Sequence, residues 1–129
     1  MTYGQRISAA AAGIEAVTGL VLLVSPSLLA RLLIGSNIDG PAIIVANIAG
    51  LALISLAIAC WPRLEENDRG SCVALLVYNL TVALLLAQAG SSSTASGFLL
   101  WPAVLIHLLL TILLALTLCG LFRGAKQSL

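Results

Sequence analysis

Residues Ser8 to Val24 read SAAAAGIEAVTGLVLLV, a run of small and aliphatic side chains broken by a single carboxylic acid, Glu15. At 1.5 Å of rise per residue, about 20 apolar residues cross about 30 Å of hydrocarbon, so the run from Ile7 to Val24 is close to a membrane span. A charged or ionisable group at that depth is costly and is by default a candidate functional group. On a helix, the face carrying Glu15 also carries Ser8, Ala11, Ala12, Thr18, Gly19 and Leu22. The acid therefore belongs to a small-residue stripe, where another helix packs, and not to the leucine-rich face.

The rest of the 129 residues repeat the pattern. Hydrophobic residues make up 60% of the chain and charged residues 9%, against about 25% charged in soluble domains. With a mean hydropathy of +1.12 the chain cannot cover itself with a polar surface, and an integral membrane protein is expected. A formal net charge of +1 offers no basic face, so nucleic acid is excluded as a partner and the bilayer is the expected one.

Punctuation divides the chain into spans at about 7–24, 41–61, 71–89 and 98–121, giving an all-α, integral membrane four-helix bundle in one domain, 1–129. After Ser25-Pro26-Ser27, the segment SLLARLLIG places Arg31 among leucines, which suits a short interfacial helix at about 27–34. Pro41 opens the second span and Pro62 closes it. PRLEENDRG, Pro62 to Gly70, is strongly charged and reads as a solvated loop. Ser71 can cap the third span and Gly90 can end it. Pro102 fits either the first turn of the fourth helix or a kink in a longer helix starting near Phe98. If both termini and the 62–70 loop share a side, that side holds Arg6, Arg63, Arg69, Arg123 and Lys126, leaving Arg31 opposite. Both termini are then expected in the cytoplasm. Trp61 and Trp101 fall at opposite interfaces, where indoles prefer to sit.

Inside the bundle the polar residues are few. Gly13 and Gly19 on span one, with Ala42, Ala46 and Gly50 on span two, are the expected helix-packing positions. Glu15, Asn47, Tyr78, Asn79 and His107 are the expected ligand or proton site. By helical rise, Glu15, Asn79, Thr81 and Thr111 come near mid-membrane, with Asn47 and His107 about 6 to 8 Å further outward. No metal is expected: the chain has one histidine, and Cys60, Cys72 and Cys119 include no C-x-x-C pair. The cysteines read as small apolar packing residues near cytoplasmic helix ends. Nucleophile elbows, phosphate-cradling loops and paired catalytic carboxylates are absent, and no cofactor is named by the sequence.

Two resemblances follow from particular phrases. The early acid of span one, GLVLLVSPSLLARLLIG closing it and ANIAGLALISLAIAC on span two resemble the DoxX-like superfamily of small four-helix bacterial membrane proteins. That resemblance implies a bundle of the bacterial inner membrane, in some members an accessory or redox-associated subunit. Glu15 in EAVTG resembles the membrane-embedded glutamate of the small multidrug resistance transporters, although the tyrosine–tryptophan lining of that family is missing here. The leading expectation is a small non-enzymatic accessory or structural subunit that packs as a homo-oligomer or against a larger membrane complex. A proton- or cation-coupled transporter using Glu15 is the second, and an intramembrane binding module for a lipophilic ligand or quinone is the third.

Overall fold

The computed structural model describes residues 2–62 and 69–120. They form five helices: α1 (Tyr3–Val24), α2 (Pro26–Leu33), α3 (Pro41–Ala59), α4 (Arg69–Ser91) and α5 (Leu100–Leu118). The four long ones are long and apolar enough to cross a membrane, and the architecture is a four-helix bundle of a multi-pass membrane protein. The charged run at 63–68, Leu121, and the Arg63, Arg123 and Lys126 of the orientation argument lie outside the described residues.

Helix ends follow local chemistry. α1 starts at Tyr3, four residues before the expected Ile7, because Thr2 and Gln5 close a capping box. The Thr2 hydroxyl accepts from the Gln5 N–H at 3.3 Å, and the Gln5 side chain accepts from the Thr2 N–H at 2.7 Å. Such a pair satisfies two of the N–H groups that a helix start leaves free. Ser25 takes a non-helical conformation and Pro26 opens α2 at its first position, where its missing N–H costs nothing. α5 begins at Leu100, which places Pro102 in the first turn and settles the choice left open by the sequence. The kink is unnecessary, since a first-turn N–H has no intrahelical acceptor anyway. α3 ends at Ala59, two residues short of Trp61, and the half-exposed rings of Trp61 and Trp101 stand at opposite ends of the bundle.

Packing is pairwise: α1 lies along α3 and α4 along α5, with α1 bridging the two pairs. The α1–α3 seam is closed by glycine. A Cβ built on Gly19 would meet the Gly50 carbonyl oxygen at 2.6 Å, and one built on Gly50 would meet the Gly19 oxygen at 2.7 Å, so the two backbones touch. Close backbone approach at small residues replaces the hydrophobic drive that lipid cannot supply. An apolar cluster of Ala11, Cys60, Cys72, Leu75, Leu110 and Leu114 joins all four long helices or their ends. Outside it, Val17, Leu20, Ile44, Ile48, Leu51, Leu84, Leu105 and Ile112 are exposed on the bundle exterior, as a lipid-facing surface requires.

At the end of the bundle opposite the chain start, α2 is latched to the α4–α5 connection. Ser96 N–H donates to the Ile34 carbonyl at 2.9 Å and Leu99 N–H to the Leu32 carbonyl at 2.8 Å. Gly97 lies directly on the Leu32 backbone and has no room for a Cβ. Arg31 is exposed.

Candidate functional site

The buried face of α1 is Ser8, Ala11, Ala12, Glu15 and Gly19, so the small-residue stripe faces inward and carries the acid with it. Glu15 is 0% exposed. Both carboxyl oxygens are buried and neither has a hydrogen-bond partner among the described residues. The Tyr78 phenol on α4 faces the carboxyl, without the geometry of a formed hydrogen bond. Its ring stands edge-on to the imidazole of His107 on α5, with centroids 6.2 Å apart and planes at 74°.

Asn79 is also 0% exposed. Its side-chain N–H donates to the Leu75 carbonyl one turn earlier at 2.9 Å, and its Oδ1 lies 2.7 Å from Nδ1 of His107. This contact joins α4 to α5 through side chains. The half-buried hydroxyls of Thr111 and Thr117 stay within their own helices. Thr111 donates to the His107 carbonyl at 2.8 Å and Thr117 to the Leu113 carbonyl at 2.9 Å, as does the exposed Thr81 to Val77 at 2.8 Å. Back-bonding of this kind satisfies the hydroxyl without linking helices.

The direct Asn79–His107 pair corrects the expected offset of about 6 to 8 Å between these residues. α4 is helical already at Arg69 and α5 stops at Leu118, three residues before the expected end. Measured along those helices, Asn79 is about 15 Å and His107 about 16 Å from the same end of the bundle, with Glu15 about 18 Å along α1. A helix end displaced by three residues moves every depth counted from it by about 4.5 Å.

Of the five expected site residues, Glu15, Tyr78, Asn79 and His107 come together. Asn47, half-buried on α3, stands apart from the hydrogen bonding: its Oδ1 is buried without a partner. Among the expected packing residues, Gly19 and Gly50 form the α1–α3 contact, and Ala46 is half-buried. Gly13 takes no part in packing among the described residues: a Cβ there would have nothing within 4 Å. It lies two residues from Glu15, about 200° around the helix by the 3.6-residue repeat, and so points away from the packed face. Ala42 is likewise exposed, in the first turn of α3 and above the point where α1 and α3 meet.

Cys60 and Cys72 are buried in the apolar cluster and Cys119 is exposed past the end of α5. No group of three or more His, Cys, Asp or Glu side chains that could hold a metal occurs among the described residues. An apolar groove of about 380 Å³ lined by Ala16, Ile54, Ala57, Ile58 and Trp61 opens on the α1–α3 side. None of Glu15, Tyr78, Asn79 and His107 lines it. No family model, no curated protein and no solved structure matches the chain.

Proposed function

We propose that the protein is a small proton transporter of the bacterial inner membrane, with both termini in the cytoplasm and Glu15 as the group that takes up and releases the proton. The observation that carries this reading is the pair of Glu15 oxygens, fully enclosed and without a partner. A residue retained only to lock helices together would be hydrogen-bonded, because an unsatisfied polar group in an apolar interior costs on the order of 1–3 kcal/mol. An exchanging proton-binding group must leave its oxygens free for the proton. Complete enclosure favours a proton over a larger cation, since it needs no cavity.

The accessory-subunit reading draws less support. Gly19 and Gly50, the small residues best suited to dock a partner helix, are used within the chain. The lipophilic-ligand reading loses its lining residues, since the groove beside Trp61 is built from other side chains. The DoxX-like resemblance stands as a proposal on the phrases of α1 to α3.

The test is proton entry into liposomes that enclose a pH-sensitive dye, driven by a potassium diffusion potential. Vesicles with the wild-type chain acidify faster than empty vesicles, and Glu15→Gln returns the rate to that of empty vesicles. Equal rates for wild type and Glu15→Gln would refute the proposal.

A further inference from the structure

The side chain of Asn79 is fixed from both ends. Its amide N–H is committed to the Leu75 carbonyl at 2.9 Å, which leaves Oδ1, an acceptor only, facing Nδ1 of His107 at 2.7 Å. A carbonyl oxygen at that distance requires a donor, so Nδ1 carries the hydrogen, and in a neutral imidazole the lone pair then resides on Nε2. Buried and with no freedom to present its N–H instead, Asn79 selects one of the two tautomers.

We infer that Asn79 is a positioning residue that holds His107 in the Nδ1–H tautomer, and that this leaves Nε2 of His107 as the second proton-accepting atom of the site. This rests on the proton-binding reading of Glu15. Tyr78 borders both groups, its phenol facing the carboxyl and its ring edge-on to the imidazole. When Nε2 takes up a proton the product is an imidazolium whose Nδ1–H still donates to Asn79. Among the described residues, the titratable groups in this part of the bundle other than His107 itself are Tyr78 on α4 and, beyond it, Glu15 on α1. α2 also touches α5, and its charged residue, Arg31, is exposed.

Because the chain has a single histidine, ¹⁵N-histidine labelling of the full protein in lipid gives one assignable pair of nitrogen signals. At neutral pH the expected spectrum shows Nδ1 protonated and Nε2 bare. Asn79→Leu loses that form as the dominant species, whereas Asn79→Asp, which keeps an acceptor oxygen, retains it. On acidification Nε2 gains a proton, and the pH at which it does so moves in Glu15→Gln and in Tyr78→Phe. A protonated Nε2 in the neutral wild type, or an unchanged tautomer in Asn79→Leu, overturns the positioning role. If Asn79→Leu fails to insert, the wild-type spectrum alone decides the tautomer. A titration of Nε2 indifferent to both Glu15→Gln and Tyr78→Phe overturns the place of Nε2 in the proton site. Loss of Glu15-dependent flux with these spectra intact would fault the transport reading and not this one.

Discussion

Replacing Glu15 with leucine takes two enclosed oxygens out of the bundle, and the sign of the resulting stability change separates a working site from a structural one. In the folded protein neither oxygen has a partner, while in a detergent-unfolded state the carboxyl reaches water. The folded state therefore carries the cost of an unsatisfied buried polar group, on the order of 1–3 kcal/mol. A leucine of different shape at a packed position returns less than about 1.5 kcal/mol of that through imperfect fit. The net expectation is a gain of about 1 kcal/mol for Glu15→Leu, roughly a fivefold rise in the ratio of folded to unfolded protein. Glu15→Gln, which keeps the polar atoms, changes stability little. Equilibrium unfolding in mixed micelles with increasing sodium dodecyl sulfate measures both. A loss of more than about 1 kcal/mol in Glu15→Leu would refute the reasoning, because it would mean that the carboxyl holds helices together.

The remaining predictions concern packing, the latch and the Asn79–His107 pair. Gly50→Ala forces a methyl against the Gly19 carbonyl and should destabilise by about 1–3 kcal/mol, while Gly13→Ala, with open space around it, should cost nothing measurable in the same unfolding assay. A double-mutant cycle of Asn79→Leu and His107→Phe should return a coupling of about 0.6 to 1.7 kcal/mol, the range of interhelical hydrogen bonds in membranes; zero coupling would deny the bond. Gly97→Ala cannot be accommodated against the Leu32 backbone, so it should release α2 from the α4–α5 connection. Faster amide exchange at Ser96 and Leu99, whose N–H groups form the latch, would report this.

The spans were legible because lipid imposes length and composition: four apolar runs bounded by Pro26, Pro41, Pro62, Gly90 and Pro102 become four long helices within a few residues. The inward face of α1 was legible for a related reason, since alanine and glycine at three- and four-residue spacing mark a helix seam. What the sequence could not supply is rotation and register between helices. Asn79 and His107 are 28 residues apart in the chain, and whether they bond depends on where α4 starts and α5 stops. The capping box at Thr2 and Gln5 was available as a signal and would have placed the start of α1 correctly. The latch of Ser96 and Leu99 onto α2 is made by backbone groups, which leave no trace in residue type except at Gly97. The fate of Gly13 and Ala42 turned on which small residues find a neighbour within one chain, and periodicity alone does not distinguish them.

The claim on which the rest depends is that Glu15 carries an exchangeable proton inside the bundle. Infrared difference spectroscopy of the protein in lipid, recorded across a pH titration, reads it through the carbonyl band of a protonated carboxylic acid. The expected result is a band at the high frequency of an enclosed carboxyl without a hydrogen bond, distinct from those of the four other acidic side chains, that titrates reversibly in the wild type and is missing in Glu15→Gln. A titration without that band, or one in which the band survives Glu15→Gln, would contradict the account.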